Sequence, residues 1–170
     1  MASSPYVFPA EGLNHLLNIV PRGVNTVPTY YLGLFSTSWA TISGYLNNST
    51  GINIVLSGTT GNYVTEVSGG NYSRASVGNW GAAVSGTATV NGVTISGLQT
   101  TTTSGFTFTC NSGSWTVNGI FVASGSAGGS SAGTTTVVWY APFSDISTVT
   151  VASGDSIIIT PTWQSLPYPN

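Results

Sequence analysis

The first regular hydrophobic pattern in the chain predicts a short helix. In AEGLNHLLNIVPRG, Leu13, Leu16, Leu17 and Val20 recur at the spacing of one helical face. A proline precedes this pattern, and a proline and a glycine end it. We therefore expect a helix over residues 10–20. Because a helix of about ten residues is marginal alone, its apolar face should dock on another surface.

From residue 28 onward the pattern has a period of two, which predicts β-strands. PTYYLGLFST is apolar in both alternating sets of positions, so we expect this strand to be buried on both faces. TATVNGVTIS contains two β-branched runs joined by Asn91-Gly92, which indicates a hairpin with a type I′ turn. GFTFTCN places Phe106, Phe108 and Cys110 on one face of a further strand.

The remaining segments complete the predicted set of strands. GINIVLSG predicts a short strand, and SWTVNGIFVA and TTTVVWYAPF predict longer apolar ones. SDISTVTVASGDSIIITPTWQ predicts two strands around a Ser-Gly-Asp turn. SWATISGYLNNSTG predicts a loop with a short helical turn, and SGSAGGSSAG a flexible connection. About eight short strands with Gly- and Asn-rich turns favour an all-β, jelly-roll-like sandwich or barrel.

The length of the chain predicts one domain. Its expected parts are an N-terminal arm over 1–9, the helix over 10–20, the β-sandwich over 28–163 and an extended C-terminal tail over 164–170. The first residues lack the basic start and apolar run of a secretory signal, and the chain has one cysteine. We therefore expect a soluble protein made in a reducing compartment.

Charge is the feature of the composition that changes this picture most. Charged residues are 4% of the chain, which has two arginines and no lysine, against ~25% in typical soluble domains. Affinity for nucleic acid or for an anionic membrane needs several basic contacts, so the sequence predicts neither partner. A surface so poor in charge gives little protection against self-association, which favours an assembly that covers it.

Few residues are candidates for chemistry. We interpret His15 as a polar-face residue of the helix and Cys110 as a small core residue, because neither has the neighbours that a metal site or a nucleophile needs. The sequence therefore predicts no metal, no cofactor and no enzymatic activity.

The four acids leave one enzymatic alternative open, because two carboxylates that converge in space could hydrolyse a sugar bond. These acids are Glu11, Glu66, Asp145 and Asp155. Glu11 fits the first turn of the helix, and Asp155 fits a turn between strands. We interpret both as structural residues.

Aromatic residues leave a second alternative open. Exposed tryptophans on a sheet can stack on sugar rings, as in a carbohydrate-binding module. Trp80, Trp115, Trp139 and Trp163 each lie in or beside an apolar run. Packing in the core is the favoured interpretation for each of them.

The segment TEVSGGNYSR places an acid and a base on either side of a turn. Gly69 and Gly70 permit positive φ angles, so the chain can reverse tightly. Glu66 and Arg74 would then face each other as an exposed ion pair that orients Tyr72 and the loop. Alternatively, Arg74 reaches a neighbouring subunit and makes a bidentate contact there.

This segment and three other motifs resemble small structural proteins of tailed bacteriophages. The first motif is a Tyr-Leu-Gly-Leu-Phe strand after a short helix, at 31–35, and the second is Glu-Val-Ser-Gly-Gly-x-Tyr-x-Arg with a later Trp, at 66–80. The third is a Trp-x-Val-x-Gly strand that ends in two apolar residues, at 115–121, and the fourth is Val-x-x-Gly-Asp followed by an apolar residue, at 151–157. The motifs occur in this order, and the resemblance covers residues 11–163.

The resemblance implies a capsid cement, or decoration, protein of jelly-roll-like fold. Such proteins are made in the cytoplasm of the bacterial host and sit on the exterior of the virion. They form small homo-oligomers, here a homodimer or homotrimer, and bridge copies of the major capsid protein. Related sequences are also labelled tail-fibre-like, so a receptor- or carbohydrate-binding virion module is the alternative.

Under this hypothesis, one loop and two tails make the contacts. The loop is organised by Glu66, Gly69, Gly70, Tyr72 and Arg74. The tails are anchored by Tyr6, Phe8 and Tyr168. Tails that become ordered on docking can reach distant sites on a partner.

Overall fold

The protein is built mainly from short β-strands. The computed structural model describes residues 8–19, 23, 28–46, 55–56, 63–78, 80, 82, 84–90, 93–101, 104–127, 135–143 and 148–165. The helices in these ranges are Ala10–Ile19 (α1) and Trp39–Leu46 (α2). The strands are Tyr30–Phe35 (β1), Val55–Leu56 (β2), Tyr63–Val64 (β3), Ala75–Val77 (β4), Val84–Val90 (β5), Val93–Thr101 (β6), Phe106–Thr109 (β7), Ser114–Val117 (β8), Gly119–Ala123 (β9), Val137–Pro142 (β10), Val149–Ala152 (β11), Ser156–Ile159 (β12) and Thr162–Ser165 (β13).

A four-stranded antiparallel sheet with the order β10-β9-β1-β4 lies at the centre of the fold. The other sheets are smaller: β11-β8, β12-β7, β13-β6-β5 and the parallel pair β2-β3. The predicted all-β sandwich with a short N-terminal helix is confirmed.

Strands β1, β9 and β10 of the central sheet are largely buried on both faces, as the continuous apolar pattern of β1 predicted. On one face, a main cluster joins it to β7, β8, β11 and β12. Its buried members are Leu32, Leu34, Val67, Val77, Phe108, Cys110, Trp115, Val117, Ile120, Val122, Val138, Trp139, Ala141, Val151 and Ile159. On the other face, a second cluster joins the sheet to α2, β2 and β3. It contains Phe35, Ile42, Leu56, Val64, Phe121, Ala123, Val137 and Tyr140.

Helix α1 docks on β10 through a different face from the one predicted. Leu13 and Leu17 are 45% and 55% exposed, whereas Gly12 is buried and Leu16 packs against the main cluster. The reason is close approach: a Cβ on Gly12 would lie 2.7 Å from the carbonyl oxygen of Val137. The absence of a side chain at this position therefore decides which side of the helix meets the sheet.

Several strands differ from their predicted extents. SWTVNGIFVA forms two strands, β8 and β9, because the chain changes sheet at Asn118. SWATISGYL forms the two-turn helix α2 rather than mainly a loop. The last strand, β13, includes Gln164 and Ser165 of the predicted tail.

Other predictions agree with the structure. Val90 pairs with Val93 in the β5–β6 hairpin, and the turn residues Asn91 and Gly92 lie outside the described residues. Phe108 and Cys110 are buried on one face, as the alternation in GFTFTCN predicted.

Gly12 and Gly44 provide a matched test of the docking of α1. Alanine normally stabilises a helix interior by roughly 0.5–1 kcal/mol relative to glycine. A Cβ on Gly44, in α2, would have no atom within 4 Å, so we expect Gly44→Ala to raise the free energy of unfolding by up to about that amount. Gly12→Ala should instead lower it by about 1–3 kcal/mol, because the helix must move off β10. Denaturant unfolding measures both, and stabilisation by Gly12→Ala would contradict this packing.

Candidate functional site

The segment at 65–74 covers the part of the β1 edge that β4 leaves open. Strand β4 pairs with β1 only as far as Leu32. Beyond that point, the Val67 amide donates to the Leu34 carbonyl oxygen at 3.0 Å, and the Ser36 amide donates to the Thr65 carbonyl oxygen at 2.9 Å. The backbone of a buried strand needs such partners, and this segment supplies them.

The chain then reverses, as the glycines predicted. Gly69, Gly70 and Asn71 all have positive φ angles, of 77°, 58° and 63°. A Cβ on Gly70 would lie 2.8 Å from the carbonyl oxygen of Ser112, so no side chain fits there. The Trp115 indole N–H donates to the Gly69 carbonyl oxygen at 3.2 Å. The turn is therefore held against the main cluster.

Glu66 and Arg74 form the predicted ion pair, but inside the molecule. Arg74 Nε lies 2.7 Å from Glu66 Oε1, and Nη2 lies 2.7 Å from Oε2, which is a bidentate geometry. The Arg74 side chain is 1% exposed and that of Glu66 is 16% exposed. The third nitrogen, Nη1, donates to the carbonyl oxygen of Gly125 at 2.7 Å. The expectation of an exposed pair is wrong, and so is the alternative in which Arg74 reaches a neighbouring subunit.

A glycine in β1 makes room for the aromatic ring on which the arginine lies. Arg74 immediately precedes β4, and the register that pairs Leu32 with Ala75 brings it beside Gly33. On the other side, Gly33 pairs with Phe121 of β9, and a Cβ on Gly33 would overlap that ring, with Cε1 at 2.5 Å. The guanidinium carbon lies 5.1 Å from the centre of the Phe121 ring, which is a cation–π contact.

Tyr72 connects the ion pair to the main cluster. Its hydroxyl donates to Glu66 Oε1 at 3.0 Å and accepts from the Leu34 amide at 2.8 Å. Its ring stacks on Phe108 and meets Trp115 edge-on. Burial, together with the negative charge of Glu66, raises the pKa of Tyr72 well above its usual value.

This arrangement is structural in its chemistry. The carboxylate of Glu66 accepts two hydrogen bonds from Arg74 and one from Tyr72. A general base needs a free lone pair that faces a substrate, and here the oxygens face the interior of the protein. The cluster therefore fixes the loop at 65–74 against the central sheet.

The predicted tail anchors do not share this site. Phe8 is half-buried and packs against the main cluster of its own chain. Tyr6 and Tyr168 lie outside the described residues.

The other candidate residues have separate structural places. Glu11 lies in the first turn of α1, as predicted, and also accepts a hydrogen bond from the Val137 amide at 3.1 Å. Asp155 is exposed in the turn between β11 and β12. His15 is half-buried beside Tyr30, and burial lowers the pKa of His15.

Asn118 is a buried polar residue whose importance the sequence reasoning missed. Its side-chain amide donates to the Ser36 carbonyl oxygen and accepts from the Thr148 hydroxyl. Its backbone also bonds to Phe35 and Phe143. The sequence does contain a sign of this buried polar residue: in WTVNGIFV, one asparagine interrupts an apolar run.

The described part of the chain contains no group of three side chains suited to a metal ion. Neither α1 nor α2, the helices within the described residues, has the length and apolar character needed to cross a membrane. Comparison of the chain with family models, curated proteins and solved structures found no match.

Replacing Glu66 should expose the dependence of the fold on this pair. Glu66→Gln leaves Arg74 charged and buried without a counter-charge, so we expect it to lower the free energy of unfolding by about 3–5 kcal/mol. The control Asp155→Asn removes an exposed acid and should change it by less than about 0.5 kcal/mol. Equal effects of the two variants in denaturant unfolding would contradict a structural role for the pair.

The double variant Glu66→Gln/Arg74→Met separates the pair from its surroundings. Because it removes both charges, we expect it to lose less stability than the two single variants lose in sum. Additive losses would show that the two residues act independently.

Two tyrosines, the buried Tyr140 and the partly buried Tyr72, predict a loss of stability in alkali. Burial raises the pKa of both Tyr72 and Tyr140, whereas tyrosines in the unfolded chain ionise near pH 10. Their contribution is complete below about pH 10 and falls as the pH rises above it, because only the unfolded chain then releases these protons. We expect Tyr72→Phe and Tyr140→Phe each to make the fall above pH 10 less steep.

The two variants should differ at pH 7. Tyr72→Phe loses its bonds to Leu34 and Glu66, so it should be destabilised by about 1–3 kcal/mol. The Tyr140 hydroxyl has no hydrogen-bond partner among the described residues. Tyr140→Phe should therefore leave the free energy of unfolding unchanged or raise it. Denaturant unfolding at several pH values measures both effects. The prediction would be contradicted if, above pH 10, the free energy of unfolding fell as steeply with pH in both variants as in the wild-type protein.

Proposed function

We propose that this protein is a capsid cement protein, which binds the outside of a tailed-phage head and stabilises the shell by bridging major capsid proteins. The observation that carries the proposal is the lack of charge on its described exterior. Arg74 and Glu66 are paired inside, Glu11 bonds to β10, and Asp155 is the exposed acid among the described residues. Such an exterior suits permanent burial between other proteins.

One face of the sandwich shows this lack of charge most clearly. Strands β7, β8, β11 and β12 turn their apolar residues toward the main cluster and hydroxyl residues outward. The exposed residues on this hydroxyl face are Thr107, Thr109, Ser114, Thr116, Thr150, Ser156 and Ile158. Ile158 is 69% exposed. A patch of hydroxyls around an exposed apolar residue suits a hydrogen-bonded protein contact with little dependence on salt.

The tryptophans favour this proposal over a carbohydrate-binding module. Trp115 and Trp139 are buried in the main cluster. Trp80 packs against the main cluster, and Trp39 packs against the second cluster. A sugar-stacking platform needs exposed ring faces, and these four rings are used for packing.

The mechanism would be mass action. A protein that binds the assembled shell but not its separated subunits shifts the equilibrium toward the shell. Because an icosahedral shell repeats the same site many times, an oligomer that engages several sites at once adds avidity to a modest affinity.

The test is the attachment of purified protein to heads that lack it. We expect the protein to bind these heads and to raise the temperature at which they release DNA. Binding should change little between 50 and 500 mM NaCl, because few charges are available to be screened. Thr107→Lys, on the hydroxyl face, should weaken binding, because it buries a charge at the contact. Ser76→Lys, at an exposed position of β4 outside this face, is the matched control.

Cryo-electron microscopy of intact particles gives the decisive readout. Density for the chain over the whole outer shell would support the proposal. Density restricted to the tail would overturn it in favour of a receptor-binding role. Equal head binding by the two lysine variants would place the contact elsewhere on the protein.

A further inference from the structure

Strand β5 forms an edge of its sheet that no other described strand covers. In the sheet β13-β6-β5, β6 pairs with both neighbours, and β5 pairs with β6 alone among the described strands. Apart from these two strand pairings, no described element has more than isolated backbone contacts with β5 or β6. In an antiparallel strand, alternate residues direct their N–H and C=O groups toward the outer edge. These groups form a template for one more strand.

The edge lacks the features that usually prevent such pairing. Natural edge strands are protected by charged residues, prolines or bulges. Strand β5 is seven residues long, VSGTATV, without a charge or a proline, and it pairs with β6 without a register shift. Val84 is 53% exposed, and Ser85 and Thr87 are exposed.

The sequence of β5 is complementary to itself. An antiparallel pair centred on Thr87 would match Val84 with Val90, Ser85 with Thr89 and Gly86 with Ala88. Apolar and small residues then meet each other, and hydroxyl residues meet hydroxyl residues. A two-fold axis requires this kind of match, in which one surface contacts the same surface of a second copy.

The faces of the sheet also agree across such an axis. The register of β5 with β6 places Val84, Gly86, Ala88 and Val90 in one alternating set of β5 positions, and Ser85, Thr87 and Thr89 in the other. An axis perpendicular to the sheet keeps each set on its own face. The pair would therefore be one six-stranded sheet.

We propose that β5 pairs antiparallel with β5 of a second copy of this chain, about a two-fold axis at Thr87, and so forms a homodimer. This inference does not depend on attachment to a phage head. The absence of charge on β5 means that two copies approach without repulsion. One strand from each copy buries less than the ~1,200 Å² typical of stable complexes, so the dimer should be reversible and concentration-dependent.

A charge-swap experiment tests the position of the axis. Thr87 would lie directly opposite its own copy, so Thr87→Lys or Thr87→Glu alone should raise the dimer dissociation constant about fivefold or more, because like charges face each other. An equimolar mixture of the two variants should form a heterodimer at least as well as the wild-type protein dimerises. Ser76→Lys, at an exposed strand position outside both proposed contacts, should leave dimerisation unchanged. Sedimentation velocity over a range of concentrations measures all four.

The possible outcomes separate this inference from the proposed function. A wild-type protein that stays monomeric at all concentrations would overturn it, as would a dimer or trimer that is insensitive to both Thr87 substitutions. Protection of the β5 amides from hydrogen exchange only after heads are added would assign the edge to a different protein. A dimer that obeys the charge swap but does not bind heads would sustain the inference and overturn the cement proposal.

Discussion

The fold depends on a buried ion pair that completes the edge of its central strand. Strand β4 is too short to cover β1, so the amide of Leu34 must find another partner in the interior. Tyr72 supplies it, Glu66 holds Tyr72, and Arg74 holds Glu66. Burying two charges is costly, and a well-packed apolar pair could be as stable. The pair contributes specificity, because bidentate geometry with a third bond to Gly125 permits one arrangement of the loop.

This use of charge in the interior has a consequence for the exterior. A chain with two arginines and four acids that pairs one of each inside leaves few charges for its surface. With a net charge of −2, the protein has little of the electrostatic repulsion that keeps copies of most soluble proteins apart. The edges of β1 and β5 differ. The segment at 65–74 covers the part of the β1 edge that β4 leaves open. No other described strand pairs with the outer edge of β5, and β5 contains no charged residue.

The sequence predicted what depends on local pattern. Alternation identified β1 as a doubly buried strand, and the glycines predicted the reversal at 69–70. What it could not predict depends on contacts between distant residues. Leu13 and Leu17 have ideal helical spacing, yet Gly12 faces the sheet because β10 approaches too closely for a side chain. The pairing of Glu66 with Arg74 was predictable from a short loop, but its burial was not, because it depends on distant residues such as Phe121 and Gly125 that contact Arg74.

The same reasoning connects the interior of the protein to its proposed role. A cement protein must keep its shape while neighbouring subunits pull on it, so its loops should be fixed by internal bonds before docking. The loop at 65–74 meets this requirement, because its turn, its tyrosine and its ion pair all bond to other parts of the chain. The side chains of Glu66, Tyr72 and Arg74 are therefore occupied by internal bonds. Recognition would fall to exposed groups of the protein, such as those of the hydroxyl face and the β5 edge.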